Sequence, residues 1–423
     1  MQAPRQLTSC GPQHSYSFLH YAVQEFLAAY HISKLSEKQG EIIRLVLTSS
    51  PLSLVIPFYA GLTRLCNEDA RDVLLEVTQH PLHFTAAVEG IDAEPSDESS
   101  DRLKTVLALM NCIYESQRPV ISQQVALLPN PKAVETYAGD LVVSFQSLGL
   151  EPTDCLSIGY FFANKQLDNV CHLDLSNCNI HDVEVELLMT ELQHGKQQQE
   201  GGVFLHLSLS KISHNGMLSI SEALKSPTSV LFGLALAGSW HPQITNICQA
   251  LKYLIEGLSR NTSCKELNLA GCYLNSEHLH HLVSMIASSN LQILSLNQNN
   301  LEGMISHLAE AIKHNKTLID LHLSQCNISD ADLICLGKAI KTNTTLDGLG
   351  LHENPFSSRA LEEFVKALAN SKSVLKNLGV DLPKHRQLLY EDKQEKQHRF
   401  SLAPQIQYWE DFVHIYQHSG NIC

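Results

Sequence analysis

From Val170 onward, leucines alternate with polar residues in a pattern that keeps returning. "VCHLDLSNCNI" begins at Val170, "CKELNLAGCYL" at Cys264, "LQILSLNQNNL" at Leu291, "LIDLHLSQCNI" at Leu318 and "LDGLGLHENPF" at Leu346. Degenerate copies stand at "FLHLSLS" (from Phe204) and "LFGLALA" (from Leu231), with a partial one, "LKNLGV", at Leu375. With one leucine of each copy as a ruler (Leu173, Leu207, Leu234, Leu267, Leu294, Leu321, Leu349, Leu378), the steps are 34, 27, 33, 27, 27, 28 and 29 residues. The two long steps carry the polar insertions "GKQQQEGG" and "GSWHPQ".

Leu-x-Leu alternation predicts a short strand with both leucines facing inward. The Asn or Cys that follows turns the chain. Next comes a stripe at i, i+3, i+4, i+7, one face of a helix: Leu279, Leu282, Val283 and Ile286, then Ile305, Leu308, Ala309 and Ile312, later Leu361, Phe364, Val365 and Leu368. Ser276, Ser329 and Ser358 stand where an N-cap is wanted, and Asn315, Asn343 and Asn370 where a left-handed residue would end a helix. One strand and one helix per period of about 28 residues is the arithmetic of a leucine-rich repeat. Stacked, such units form a horseshoe solenoid with a parallel sheet on the concave wall and helices on the convex wall. The concave positions are His172, Asp174, Glu266, Asn268, Ser295, Asp320, His322 and His352, with Glu353 beside the last. These side chains assemble no catalytic set. A mixed polar strip on a rigid frame predicts binding to a protein.

The first part of the chain reads as helical. Leu19, Val23, Phe26, Leu27 and Tyr30 share a face, as do Leu103, Val106, Leu107 and Met110. Between them "DAEPSDESSD" (Asp92–Asp101) reads as a solvated loop. Glu151–Asn164 reads as the helix of an N-terminal capping repeat, from the stripe Leu156, Gly159, Tyr160 and Ala163. The fold class expected is therefore α/β, a helical N-terminal domain followed by the solenoid. The divisions expected are 1–30, 31–150 (helical), 151–382 (repeats) and 383–423, a tail whose "IQYWEDFVHIY" is suited to capping the last repeat's open edge.

The 423 residues carry 44 acids against 30 bases, a formal charge of -14, which argues against a nucleic-acid footprint or docking on an acidic membrane. No apolar run suits a membrane span or a secretory leader. The 12 cysteines form no CxxC pair. Cys178, Cys272 and Cys326 recur in the Asn/Cys slot and read as buried turn thiols, not zinc ligands. Sequons at Asn261, Asn315, Asn327 and Asn343 read as turn residues of the repeat. "HLHH" (His278–His281) lacks a further ligand at zinc spacing. There is no G-x-x-x-x-G-K-[ST], G-x-S-x-G or H-E-x-x-H, so neither catalysis nor a resident cofactor or metal is expected.

One stretch is more specific. "FLHYAVQEFLAAYHI" (from Phe18) resembles the F-x-H-x-x-x-Q-E-F-x-A-A signature of the NLR family, the NACHT and leucine-rich-repeat immune receptors. "EPTDCLSIGYFFANKQLDNVCHLDLSNCNI" is similar to that family's entry into its repeats, which are of the ribonuclease-inhibitor type. The resemblance implies that residues 1–30 end a winged-helix segment and 31–150 form the second helical domain. It implies that His20 matches a histidine contacting the β-phosphate of ADP. ATP or ADP would be bound only with an upstream nucleotide-binding domain. The function implied is the ligand-sensing, autoinhibitory half of a cytoplasmic receptor, a fragment or truncated regulator. Its partners would be a protein ligand, another copy, or the upstream NACHT domain of the same chain. The alternative is a stand-alone repeat inhibitor or adaptor that blocks an enzyme with its concave face.

Overall fold

The computed structural model describes residues 7–8, 15–16, 21–35, 38–49, 55–66, 68, 72, 97–124 and, except for 168, 196–200, 244 and 370, residues 141–380. The fold is mixed α/β around a parallel sheet. A short antiparallel pair, β1 (Leu7–Thr8) and β2 (Ser15–Tyr16), precedes, among the described residues, the helices α1 (Tyr21–Lys34), α2 (Gln39–Ser49), α3 (Val55–Thr63), α4 (Asp97–Ser116) and α5 (Pro119–Gln124). Strands and helices then alternate: β3 (Leu141–Ser144), α6 (Pro152–Asn164), β4 (Val170–Asp174), α7 (Asp182–Leu192), β5 (Gly202–His206), α8 (His214–Lys225), β6 (Leu231–Ala235), α9 (Ile247–Arg260) and β7 (Glu266–Asn268). The series continues through α10 (Leu279–Ser288), β8 (Ile293–Ser295), α11 (Ile305–His314), β9 (Asp320–His322), α12 (Asp330–Ile340), β10 (Gly348–Gly350), α13 (Ser358–Ala369) and β11 (Asn377–Gly379). Strands β3 to β11 pair in chain order, all parallel.

The register aligns Val143, Leu173, Leu205, Leu234, Leu267, Leu294, Leu321, Leu349 and Leu378 in one row. This corrects the ruler in one copy. Leu205, not Leu207, stands opposite Leu173 and Leu234, so the first two steps are 32 and 29 residues. It also moves the start of the repeats. Leu141–Ser144 is the first strand of the sheet and α6 is its helix, so the boundary expected at 151 falls inside a unit.

Four residues past each ruler from Val143 to Leu349 the chain enters the left-handed region, at Ser147, Asn177, Leu209, Gly238, Gly271, Gln298, Gln325 and Glu353. That turn prolongs the ladder, since the N–H of Asn177 donates to Ser208 O at 3.0 Å and that of Gln298 to Ser324 O at 2.9 Å. Gly238 and Gly271 adopt it freely, while Leu209 pays the roughly 1–2 kcal/mol that a side chain costs there.

The Asn/Cys slot lies one residue further on. Its side chain donates to a carbonyl two residues past the ruler of the preceding unit. Cys178 Sγ reaches Phe145 O at 2.9 Å, Ser239 Oγ reaches Leu207 O at 2.6 Å, and Cys272 Sγ reaches Leu236 O at 3.1 Å. Asn299 Nδ2 reaches Leu269 O at 2.8 Å, Cys326 Sγ reaches Leu296 O at 3.2 Å, and Asn354 Nδ2 reaches Leu323 O at 2.8 Å. Burial pushes the thiols of Cys178, Cys272 and Cys326 up to about 12.

A second ladder runs along the helix ends. Asn261, Asn315 and Asn343 donate to Leu224 O, Ile286 O and Ile312 O of the unit before. They accept from the N–H three residues on. These three sequon asparagines are buried parts of the frame, whereas Asn327 is exposed. Asn315 does not close its helix left-handed, as expected, but at φ -66°. Ser329 caps α12, as expected, but Asn275 and Ser357 do the work assigned to Ser276 and Ser358.

The leucine rows and the helix stripes share one core. Two expectations for the first part need correction. Helix α4 starts at Asp97, inside the stretch read as a loop, where acids suit a helix N-terminus. On α1 it is Ala29 and Ile32 that are buried, while Phe26, Leu27 and Tyr30 are exposed by 41–47%. Periodicity defined a face, but the partner helix α3 packs on another side, touching Phe26 only edge-on. These helices touch the strand–helix series, where Asn111 on α4 donates to Asp154 on α6 at 3.0 Å. Residues 383–423 lie outside the described residues.

Asn299→Ala should cost about 2–3 kcal/mol in urea unfolding, since it strands buried carbonyls on two units. Cys326→Ala, which removes one weak donor, should cost clearly less. Leu294→Ala, a fully buried ruler residue, sets the scale at about 2–5 kcal/mol.

In native protein, maleimide should label exposed Cys66 and Cys248 rapidly and leave Cys178, Cys272 and Cys326 unmodified until the chain unfolds. Fast labelling of the latter three would contradict their place in the ladder.

Candidate docking face

Alternation about the ruler sends its two neighbours to the face of the sheet away from the helices. One step before the ruler stand His172, Phe204, Gly233, Glu266, Ile293, Asp320, Gly348 and Asn377. One step after it stand Ser144, Asp174, His206, Ala235, Asn268, Ser295, His322, Gly350 and Gly379. A separate small apolar cluster, Phe204 and Ala235 with Val170, Phe232 and Ile293 against them, confirms that this face is not the main core.

The strand positions expected on this face are there: His172, Asp174, Glu266, Asn268, Ser295, Asp320 and His322. Partly buried His352 lies beyond its strand, where a methyl on Gly379 would overlap its ring. Glu353 differs. It is the left-handed turn residue of its unit, exposed, and accepts from Gln325 Nε2 at 2.7 Å. His20 lies outside the described residues.

The face is less open than a solvated strip. His172, Asp174, Asn268, Ser295 and His322 are buried, and Glu266 and Asp320 half-buried. At the β4–β5 end, His172 Nδ1 and His206 Nε2 are 3.1 Å apart, and both rings lie against Phe204, His172 stacked at a centroid distance of 5.0 Å and His206 tilted at 4.5 Å. Burial, helped by His172, holds His206 well below the ordinary imidazole range. Burial pushes the Asp174 carboxyl up, against the opposing pull of Ser176, Ser144 and His172. Phe204 and His206 escaped the sequence reading because the ruler in that copy was two residues late.

At the β8–β9 end, burial and then the neighbouring His352 pull His322 down to about 4. Burial and the Asp347 carboxylate push Asp320 up. Asp320 leans over Gly348, where a methyl would overlap its carboxylate. Among the described residues no three or more His, Cys, Asp or Glu side chains could share a metal ion. His278 is used at a helix start, its Nδ1 accepting from Asn275 N at 3.1 Å. No helix among the described residues is long and apolar enough to cross a membrane. The face offers hydrogen-bonding groups on a fixed frame, with acids at its more open positions.

The chain matches no protein-family model. It is 28% identical over 242 residues to mouse NACHT, LRR and PYD domains-containing protein 9C, covering 49% of this chain and 23% of that protein. It is 25% identical to human NACHT, LRR and PYD domains-containing protein 14, covering 86% of this chain and 37% of that protein. The chain thus spans well under half the length of the curated relatives it matches, 23% and 37% of these two. Among solved structures, the Rad7 and Elc1 complex in yeast aligns with 86% of this chain and 93% of its own at 12% identity and a TM-score of 0.32. The TLR13–ssRNA13 complex aligns with 52% of this chain and 30% of its own at 16% identity and a TM-score of 0.31.

The buried imidazole of His322 makes stability pH-dependent. Its folded pKa lies below its unfolded value of 6.5, so the unfolded chain binds the extra proton first. The full contribution is present above pH 6.5 and is lost as pH falls toward about 4. Between pH 7.5 and 4.5 this residue should account for about 3 kcal/mol of lost stability. Urea unfolding of His322→Gln should show a pH dependence flatter by about that amount. An unchanged dependence would place the ring in water.

Proposed function

From the chain's relationship to the NLR family, the NACHT and leucine-rich-repeat proteins, we infer that it is the repeat-bearing, ligand-sensing half of an innate immune receptor, acting by protein binding and not by catalysis. The strand–helix units are leucine-rich repeats of the ribonuclease-inhibitor type, residues 1–30 end the family's winged-helix segment, and residues 31–150 belong to its second helical domain. In the resting receptor the repeats hold an upstream nucleotide-binding module closed. A protein ligand at the open sheet face shifts the balance. The receptor works in the cytoplasm, and any nucleotide contact of His20 requires that upstream module.

The observation that carries this reading is the alignment with the human relative across 86% of this chain, which joins helices and repeats in one match. The polar, strand-mounted face supports protein binding, because its geometry is set before contact and little ordering cost remains. A stand-alone inhibitor would use the same face, so the two readings part upstream of it.

A transcript that continues upstream in frame through G-x-x-x-x-G-K-[ST] should yield a product that binds ADP, whereas residues 1–423 by themselves should not. Deleting residues 141–380 from that product should raise its ATP-dependent self-association, read by light scattering. An upstream region without a phosphate loop, or self-association unmoved by the deletion, would sink the receptor reading and favour the inhibitor.

A further inference from the structure

Charge is sorted to two opposite edges of the last strand–helix units. Exposed acids stand at or just before the helix starts: Glu277, Glu302, Asp330 and Glu353. Bases stand where the helices end and the chain returns to the sheet. Lys316 follows α11, Lys338 and Lys341 close α12, and Lys372 lies between α13 and β11. All four are exposed. The loops that carry them stack on one another, since Asn343 Nδ2 donates to Asn315 O at 3.2 Å and the N–H of Lys376 to Asp347 O at 2.8 Å. Two acids of this edge, Glu310 and Asp347, are already held by Lys313 at 3.0 Å and Lys376 at 2.9 Å. Lys316, Lys338, Lys341 and Lys372 make no ion pair among the described residues.

The fold does not require this charge. A lysine in the last turn of a helix answers the helix dipole, but that effect fades beyond the turn, where Lys316 and Lys372 lie. Helices α6, α7 and α10 end with no base in the last turn. Nor do the acids of the same units cancel it. Helix α12 has 11 residues, so it separates the two edges by about 16 Å. Charges are screened over about 8 Å at physiological ionic strength. The lysine edge therefore keeps a local positive field on a chain whose formal charge is -14. We propose that this edge, from Lys316 to Lys372, receives an extended acidic segment of a protein partner. It is a second surface, independent of the open sheet face.

Spacing and surroundings select the partner. Neighbouring units lie about 5 Å apart at their strands and 8–10 Å apart at their helices. Alternate side chains of an extended peptide repeat at nearly 7 Å, between those two spacings. An ammonium is a point charge on a flexible stem, so it takes a carboxylate without a fixed fork geometry. One apolar side chain stands among the lysines. Ile319 is 39% exposed, and its carbonyl is pinned by the N–H groups of Asp347 and Gly348 at 2.8 and 3.0 Å. It offers a contact for an apolar residue between the acids. Single-stranded RNA needs aromatic platforms for its bases, and no Phe, Tyr or Trp is exposed among the described residues from 305 to 380. A bilayer of anionic lipid is a broad surface, which would also press on exposed Glu310 and on the uncharged end of α10. A single peptide strand follows the lysines and passes both by.

The test uses the full chain and a fluorescein-labelled peptide, acetyl-Glu-Leu-Glu-Gly-Glu-Gly, read by anisotropy at low salt. Its counterpart carries glutamine for each glutamate. The acidic peptide should bind saturably and the glutamine peptide about tenfold more weakly. Lys316→Glu and Lys341→Glu should each cost about fivefold, and the two together more than tenfold. Both lysines are exposed and outside any ion pair, so the variants should melt within a few degrees of the parent. The milder Lys316→Gln and Lys341→Gln serve if a reversal fails to fold. Lys211→Glu makes the same charge change on the opposite edge, where Lys211 is exposed, and should move binding by less than about twofold. Equal binding of the two peptides overturns the proposal. So does a loss in Lys211→Glu as large as in Lys341→Glu, which would reduce the effect to net charge. Phosphatidylserine vesicles or a labelled single-stranded RNA that bind, lose affinity in the double reversal and are not displaced by excess acidic peptide would assign the edge to lipid or RNA and overturn it too. If Glu266→Lys changes peptide binding while the lysine variants do not, the sheet face is the site and the lysine edge falls.

Discussion

Each unit of the sheet ends in a carbonyl that turns inward, and the next unit must answer it. Cys178, Ser239, Cys272, Asn299, Cys326 and Asn354 supply that donor in turn. An unanswered buried carbonyl costs about as much as a lost hydrogen bond, so this constraint fixes the spacing of one unit on the next. Asparagine does more than cysteine in the slot. Asn354 also accepts from the N–H groups of Cys326 and Ile328, tying together two units through one amide. A thiol only points backward. Ser210 is the exception, since its hydroxyl has no partner among the described residues. It belongs to the one copy whose motif is least regular.

That irregularity explains where the sequence was legible and where it was not. Regular copies declared their register because leucines and the Asn/Cys slot agree. In "FLHLSLS" the leucines 205, 207 and 209 alternate evenly, so any neighbouring pair satisfies Leu-x-Leu, and no Asn or Cys five residues on breaks the tie. The structure breaks it with backbone geometry, because Leu209 takes the left-handed turn and so Leu205 must be the ruler. The cost of the slip was specific. Phe204 and His206, two of the three buried rings grouped on the face, went unnoticed. The strand at Leu141–Ser144 was missed for a different reason, since its first-unit sequence carries Val143 in place of the ruler leucine. On α1 the periodicity was right and the buried side wrong, because a stripe does not say which neighbour will cover it.

The polar face follows from the same ladder. With one residue on either side of the ruler directed away from the helices, the row before it and the row after it hold whatever the fold does not require. Small residues occupy many of those places: Gly233, Ala235, Gly348, Gly350 and Gly379. Some are small because a neighbour leans over them, as Phe204 does over Gly233 and Asp320 over Gly348. Besides Glu266 and Asn268 on β7, the larger polar residues stand at two ends, His172, Asp174 and His206 at one and Asp320, His322 and His352 at the other.

The two ends differ in how they resolve their polarity. At the first, Asp174 is supplied by Ser144 and by the N–H of Ser176, and the two imidazoles face each other. Ser144 sits in the same row as Asp174, one strand earlier, which makes this a property of the register and not of a single loop. At the second end the equivalent neighbour of Asp320 is Ile293 on one side and Gly348 on the other, and neither has a hydrogen to donate from its side chain. Both ends nevertheless keep buried polar atoms without a partner among the described residues, the Ser176 hydroxyl at the first and Ser295 Oγ and His322 Nδ1 at the second. Replacing Ser295 or His322 by the alanine or glycine found elsewhere in the row would remove the unmet groups without disturbing the ladder, so the ladder that fixes the frame leaves the polarity of this row free to vary.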